Sequence, residues 1–193
     1  MKKFFTTKTI TGLGILTAIM IVLFGLSFVL KFGPLTLNLA LVPIAVGACL
    51  YGPLGGLFLG FINGALNLLV GEVQAFTAVN LWATIIMVLL KTSLAGLLAG
   101  FAFNIFKNRH PLLGSIFASC IVPIVNTGIF LGGCLIFFKP LFMPGATEAG
   151  QSMLVYMIVA VLGINFIIEF AINAVLSTAV HSIYKTFEKR RKM

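Results

Sequence analysis

The chain alternates between long apolar runs and short segments that contain polar residues, glycine or proline. A helix needs about 20 apolar residues to cross the hydrocarbon of a bilayer, and fewer where it is partly shielded. The second and third runs are short and are separated only by Tyr51-Gly52-Pro53, a turn-forming sequence. The pattern predicts six transmembrane helices, at about 9–30, 37–51, 54–70, 80–106, 112–138 and 152–184.

The predicted fold class is all-α, an integral membrane bundle. No linker is long enough to hold a second domain, so residues 1–193 are predicted to form a single membrane domain. The only sizeable loop is predicted at about Lys139 to Gln151, which contains two prolines and two glycines. We expect it outside the cell, where a loop can cover a binding site.

The composition agrees with a membrane location, since 60% of residues are hydrophobic, 9% are charged and the mean hydropathy is +1.16. The chain has four Glu and no Asp, and it carries neither a phosphate-binding loop nor an H-E-x-x-H motif. These absences exclude Asp-dependent membrane transferases, aspartyl intramembrane proteases and Walker-type ATPases. We therefore expect a protein that is not an enzyme and that uses no cofactor and no metal.

The basic residues predict the orientation. If six spans alternate from a cytoplasmic N-terminus, ten of the 13 Lys and Arg lie on the cytoplasmic side. Only Lys31 and Lys139 lie outside, and Lys91 is left within a span. This asymmetry predicts that both termini are cytoplasmic.

Two ionisable residues, Lys91 and Glu169, fall inside predicted spans. Each such group costs about 2.5 to 3.5 kcal/mol at mid-bilayer on insertion scales, so it indicates function by default. At the helical rise per residue, Lys91, Glu169 and Asn126 each lie about 24 to 26 Å from the basic residue that anchors the same helix. The three are therefore predicted to lie at one level in the membrane.

Other polar residues surround that level. Asn165, Glu169 and Asn173 recur every four residues and share one face of the last span, and Asn126-Thr127 interrupts the fifth span. If these faces turn inward, the bundle holds a polar cavity with one cation, one anion and several amides. The alternative is a buried Lys91–Glu169 ion pair that only joins two helices.

Two further positions are less decisive. Asn63 and Asn67, four apart on the third span, either extend the polar lining or have only a structural role. Trp82, the only tryptophan, is expected either to anchor the fourth span at the interface or to stack on a ligand at the mouth of the pocket.

Small residues predict close helix contacts, because they let helix backbones approach in lipid. Gly56, Gly60 and Gly64 make one smooth face on the third span. Gly14 and Ala18 make another on the first span, which packs either against a helix of this chain or against a partner subunit.

The segment from Leu41 to Gly60 resembles a known signature. It matches P-x-x-x-G-A-x-x-x-G-P-x-x-G-x-x-x-G, which joins helices 2 and 3 in the substrate-binding S components of energy-coupling factor (ECF) vitamin transporters. Gly14/Ala18 in the first helix, Val125-Asn126-Thr127 in the fifth, and Asn165 with Glu169 in the sixth are similar too. The matching residues of the signature are Pro43, Gly47, Ala48, Gly52, Pro53, Gly56 and Gly60.

The resemblance implies a multi-pass subunit of a prokaryotic plasma membrane that captures a water-soluble vitamin outside the cell. It implies partners: a transmembrane coupling subunit, which Gly14 and Ala18 would face, and two cytoplasmic ATPases that hydrolyse the ATP. It also implies an outward pocket built mainly from helices 4 to 6 and capped by loops. Where many relatives carry Pro-Arg in helix 4, this chain has Leu90-Lys91, a point charge in place of a bidentate fork.

The nearest branch includes carriers of pantothenate, folate and hydroxymethylpyrimidine or pyridoxine. A cation at pocket depth suits an anionic vitamin, and one tryptophan offers little surface to a large flat ring, so pantothenate is the first hypothesis. Folate, pyridoxine, hydroxymethylpyrimidine or another micronutrient are alternatives. A non-transport membrane scaffold, or an autonomous small channel or secondary transporter, is the rival from another class. The predicted substrate-binding residues are Lys91, Asn126, Thr127, Asn165, Glu169, Trp82 and Asn63.

Overall fold

A computed structural model describes residues 6–27, 31–32, 35–69 and 73–192. In chain order the elements are α1 (Thr7–Ser27), β1 (Lys31–Phe32), β2 (Leu35–Thr36), α2 (Leu41–Leu68), α3 (Gln74–Val79), α4 (Leu81–Phe106), α5 (Pro111–Phe137), α6 (Lys139–Glu148), α7 (Met153–Tyr156), a π-helical stretch (Met157–Leu162) and α8 (Gly163–Lys192). The predicted helical bundle is confirmed, with one antiparallel ladder of two residues per strand added between β1 and β2.

Five helices of the described chain are long and apolar enough to cross a membrane: α1, α2, α4, α5 and α8. The predicted bounds of the spans on α1, α4 and α5 agree with the structure to within three residues. Positions 28–30 of the first predicted span and position 70 of the third lie outside the described residues. The predicted second and third spans are joined in the single element α2. The count of six crossings therefore stays a prediction.

A sharp break divides α2 at the predicted turn. Gly52 has φ 75° and ψ −165°, a region that is almost restricted to glycine, and Pro53 follows it. A Cβ on Gly56 would lie 3.0 Å from the Cβ of Ala48, and Gly47 contacts the side chain of Leu59. Residues eight and twelve apart on a straight helix are about 12 and 18 Å apart along its axis. The two arms of α2 therefore fold back on each other around Gly52.

The glycine face of the second arm packs against α4. A Cβ on Gly60 would lie 2.9 Å from the Cα of Ser93, and one on Gly64 would lie 3.0 Å from the Cα of Leu89. Farther along α4, a Cβ on Gly100 would lie 2.5 Å from the Cα of Pro53. Because the contacts run in opposite directions along the two helices, the arm and α4 are antiparallel. The predicted smooth face thus serves packing within the chain.

Contacts at one end of the bundle bring distant parts of the chain together. Gly12 of α1 contacts the ring of Tyr51, and the Tyr51 ring packs edge-to-face on Phe187 of α8 with 5.6 Å between centroids. Phe103 of α4 and Tyr184 of α8 pack in the same way at 4.8 Å. The first turns of α1, the Gly52 turn and the last turns of α8 therefore lie at the same end, which we call the basal end.

The segment predicted as a loop, about Lys139 to Gln151, is instead mainly helical. α6 occupies Lys139–Glu148, and Gly150, with φ 63°, ends it. Pro140 falls in the first turn of α6, where the missing N–H costs no hydrogen bond, so a proline-containing segment forms a short helix. The predicted loop is therefore wrong in conformation, although the break it predicted between α5 and the last long helix is present.

Candidate functional site

A cavity lies between the helices at the end of the bundle away from the basal end. It has a volume of about 100 Å³, which leaves room for several water molecules or a small ligand. Its lining comes from α1, the segment before α2, the second arm of α2, the segment at Val73 and α3, α4, α5 and the start of α8. No single helix forms the cavity, so its chemistry depends on how the bundle assembles.

Five of the seven residues predicted to bind substrate line this cavity: Lys91, Asn126, Thr127, Asn165 and Glu169. They come from three helices. Lys91, Asn126 and Glu169 share a level because each lies sixteen or seventeen residues from a basic residue at the basal end, and Thr127 and Asn165 are neighbours of that level on the same helices. The three residues that the sequence placed at one depth, Lys91, Asn126 and Glu169, therefore line the same cavity. Whether they contact a substrate stays a prediction.

Lys91 brings a positive charge to a largely aromatic wall. Its ammonium nitrogen lies 4.8 Å from the centroid of the Phe130 ring on α5, within the range of a cation–π interaction. Glu169 lines the same cavity, so the two charges that the sequence placed at one level face a common space.

Glu169 also holds the chain segment that precedes α2. One carboxylate oxygen, Oε1, accepts a hydrogen bond of 2.8 Å from the backbone N–H of Asn38. Next to it, the backbone N–H of Leu39 donates to Oγ of Ser27 at 3.1 Å. Glu169 is 7% exposed and Ser27 is 2% exposed, so both acceptors are buried. This pair of bonds ties the start of α2 to α8 and to the end of α1.

Amide side chains complete the polar lining. Asn126 is 6% exposed, and its Oδ1 has no hydrogen-bond partner among the described residues. Asn38 also lines the cavity, and its Oδ1 is likewise buried with no hydrogen-bond partner among the described residues. A buried acceptor without a partner costs about 1 to 3 kcal/mol, so these oxygens favour a ligand that donates hydrogen bonds.

Asn63 and Trp82, the other two predicted binding residues, do not line the cavity. Asn63 is fully buried but does not line the cavity; its backbone carbonyl accepts a bond of 2.7 Å from the side chain of Asn67, which does line it. Trp82 is 73% exposed and is not in the lining, as an interfacial anchor would be. Asn173 is also buried outside the lining and donates to the backbone carbonyl of Glu169 at 2.9 Å.

Sequence reasoning missed two kinds of lining residue. Ser27 and Asn38 sit at the ends of elements, where periodicity carries no information about orientation. Four phenylalanines, Phe24, Phe76, Phe130 and Phe166, form much of the wall. In a chain with 19 phenylalanines, no local signal distinguishes those in the cavity from those in lipid.

The small-residue face on α1 has no contact within the described chain. Gly14 and Ala18 are exposed, and a Cβ on Gly14 would meet nothing within 4 Å. The opposite face of α1 is buried through Leu13, Leu16 and Met20. Of the two alternatives for this face, packing against a helix of the same chain is therefore not what the structure has.

The fold and the cavity define a multi-pass protein of the cell membrane that encloses a small polar site. Residues 8–181 match the family described as ECF transporter, substrate-specific component. The match spans most of the chain, and the protein belongs to this family: it is a transport protein and not an enzyme. The chain matches no curated protein and no solved structure.

The family supplies general properties. Its members bind a small-molecule substrate in the membrane and work with a coupling subunit and ATPases. The resemblance noted at Leu41 to Gly60 is thus confirmed at the level of the family.

Proposed function

We propose that this protein is the high-affinity substrate-binding subunit of an ECF-type importer that captures a water-soluble vitamin from outside the cell. The observation that carries the proposal is the convergence of Lys91, Asn126, Thr127, Asn165 and Glu169 on one small cavity. A scaffold protein could pack through its glycine faces alone and would gain nothing from a buried acceptor without a partner, such as Oδ1 of Asn126.

Within this site, Lys91 and Glu169 have different proposed roles. Lys91 attracts an anionic group of the substrate, because it lines the cavity with its ammonium 4.8 Å from the centroid of the Phe130 ring. Glu169 contributes through the bond from its carboxylate to the Asn38 N–H, which holds the segment of Leu37 and Asn38 that lines the cavity. Asn126, Thr127 and Asn165 provide hydrogen bonds to the polar groups of the substrate.

Pantothenate remains the first proposed substrate. Its carboxylate suits Lys91, its hydroxyl groups suit amide acceptors, and its branched carbon suits the apolar wall of Met87, Val88 and Phe130. The four phenylalanines supply the aromatic surface that one tryptophan does not, so a single-ring vitamin such as pyridoxine or hydroxymethylpyrimidine is the second candidate. Folate is third, because it is the largest of these vitamins.

We further propose six crossings with both termini in the cytoplasm. The reversal of α2 at Gly52 supports six, since each of its arms then counts as one crossing. The contact of both Gly12 and Phe187 with Tyr51 supports an even number, because it places the two ends of the chain on the same side. The basic residues near both ends support the cytoplasmic side.

The decisive experiment identifies the molecule that copurifies with the protein. The full chain would be purified in mild detergent and denatured, and the released small molecules would be identified by mass spectrometry. Isothermal titration of ligand-depleted protein with pantothenate, pyridoxine, hydroxymethylpyrimidine and folate would then rank the affinities. We expect one vitamin at about one molecule per protein, with pantothenate bound most tightly.

Two outcomes would contradict the proposal at different levels. Tight binding of another vitamin would reject pantothenate and keep the vitamin carrier. Absence of any bound small molecule, with no heat of binding for the four vitamins, would reject the carrier and favour the scaffold. Uptake by the protein alone in vesicles, without ATP-hydrolysing partners, would favour an autonomous transporter.

A further inference from the structure

A second concave surface lies at the basal end of the bundle, far from the cavity. Lys107, Asn108 and Pro111 line one side, and His181, Lys185 and Glu188 line the other; we call it the basal groove. Its volume is about 560 Å³. Lys185 lies sixteen residues beyond Glu169 on α8, about 24 Å along the helix, so the two sites are separate.

The packing of three helix ends forms the basal groove. The rings of Phe103 on α4 and Tyr184 on α8 pack edge-to-face at 4.8 Å, and Tyr184 also lines the groove. At the start of α5, a Cβ on Gly114 would lie 3.0 Å from Cδ2 of Phe103. Phe103 is fully buried between the other two helices. The groove is therefore preformed by core contacts rather than by its own polar side chains.

The chemistry of the lining suits an anion. Lys107 and Lys185 set two positive charges against the single carboxylate of Glu188. The 27-residue helix α5 begins at Pro111, and the side chain of its N-cap residue, His110, makes no capping hydrogen bond. The amides of a first helical turn and the helix dipole together favour a negative group at that position.

His181 adds a polar ring to the groove lining. Its Nδ1 is buried and has no hydrogen-bond partner among the described residues, although the residue lines the groove.

The position of the groove identifies the anion. Residues 107–110 connect the apolar helices α4 and α5, so they lie where the chain leaves the hydrocarbon and meets the lipid headgroups. Exposed apolar side chains adjoin the groove residues along the chain, with Ile105 76% and Ile183 46% exposed. Basic pockets between transmembrane helices at such a level bind lipid phosphate. We propose that the basal groove binds the phosphate group of an anionic phospholipid.

The first test uses the unmodified protein. Native mass spectrometry of the full chain in detergent would measure binding of phosphatidylglycerol and phosphatidylcholine added at equal concentrations. We expect a preference for phosphatidylglycerol of about fivefold or more, from the two lysines. Equal binding of the two lipids would overturn the proposal without any question of misfolding.

The second test locates the site. The double variant Lys107→Gln/Lys185→Gln is compared with Lys8→Gln/Arg190→Gln, which removes the same charge from exposed residues outside the groove. We expect the groove variant to lose the lipid preference and the control to keep it. Equal losses in the groove variant and the control would show a diffuse charge effect and overturn the site.

The third arm separates lipid from free phosphate. Thermal unfolding would be measured with inorganic phosphate and with short-chain phosphatidylglycerol at the same concentration. We expect stabilisation by the lipid alone, because only the lipid has acyl chains that can cover exposed apolar side chains such as Ile105 and Ile183. Equal stabilisation by inorganic phosphate would reject a lipid occupant. Vitamin binding would be measured in parallel, and its loss would not bear on the groove.

Discussion

Individual side chains in the cavity combine opposite charges with hydrogen-bonding groups. Lys91 faces a ring of Phe130, and Glu169 accepts from the backbone of Asn38. A buried charge that loses its partner is costly, so substitutions here are expected to change affinity more than exposed substitutions do. The two residues are also expected to respond differently to conservative changes.

For Lys91, we predict that Lys91→Ala weakens vitamin binding at least about tenfold, which corresponds to about 1.4 kcal/mol. The reason is the loss of the positive charge that lines the cavity. Isothermal titration measures the affinity, with Lys139→Ala as control, since Lys139 is exposed and outside the lining. An affinity equal to that of the control would reject Lys91 as a binding residue and leave the family assignment intact.

For Glu169, we predict that Glu169→Ala weakens binding at least about tenfold, while Glu169→Gln retains most of the affinity. An amide oxygen at the same position can still accept the hydrogen bond from Asn38, and alanine cannot. Comparing the two variants by titration separates positioning from charge. If glutamine is as harmful as alanine, the negative charge itself, rather than the bond to Asn38, is what the site requires.

At the scale of the helices, glycine has two distinct uses. On the second arm of α2 it allows backbone contact with α4, and at Gly14 of α1 it leaves a position where an added Cβ would meet nothing within 4 Å. The sequence shows the same small-residue spacing in both places. The neighbours decide which face is an internal contact and which is available to a partner.

The internal face is tested by Gly60→Ala. The added Cβ would lie 2.7 Å from the carbonyl carbon of Thr92, and neither backbone can yield without separating α2 from α4. We predict a destabilisation of about 1 to 3 kcal/mol, measured as thermal or chemical unfolding in detergent. Gly128→Ala on α5, where a Cβ meets nothing within 4 Å, is the matched control. Equal stability of the two variants would contradict the close packing.

The open face is tested by Gly14→Leu. The substitution adds bulk where nothing lies within 4 Å, so we expect folding and vitamin binding to be unchanged. If a coupling subunit docks on this face, uptake in cells that contain the ATPase module should fall at least about tenfold, because bulk prevents close approach. Gly132→Leu on α5, also in open space, is expected to transport normally. Normal uptake by Gly14→Leu would exclude this face as the docking surface.

At the scale of the whole molecule, the number of crossings decides which side each terminus occupies. Six crossings place both ends on one side of the membrane, and five place them on opposite sides. The contacts of Gly12 and Phe187 with the same Tyr51 ring favour the even number.

Cysteine labelling in intact cells would test the predicted topology of six crossings with both termini in the cytoplasm. Cys49, Cys120 and Cys134 would first be replaced by alanine, and single cysteines would be placed at Lys8, Lys139 or Lys189. A membrane-impermeant maleimide should label position 139 in intact cells and the other two only after permeabilisation. The cysteine-free chain controls for background. Labelling of positions 8 and 189 from opposite sides would require an odd number of crossings.

The sequence by itself determined the helical membrane class, the break at Gly52 and the level of the polar residues. These depend on local quantities: apolar length, the conformational freedom of glycine and a constant rise per residue. Lys91, Asn126 and Glu169 therefore reach one cavity as predicted. Their common distance from the basal end requires no knowledge of the neighbouring helices.

Only the tertiary structure decided which faces meet. Asn67 rather than Asn63 lines the cavity, and Trp82 is exposed. The Asn38 segment completes the cavity lining, and three helix ends form the basal groove. Contacts between residues far apart in the chain depend on helix rotation and on backbone approach at small residues. Periodicity along one helix predicts neither the rotation nor the backbone approach, because in lipid the outward and inward faces can be equally apolar.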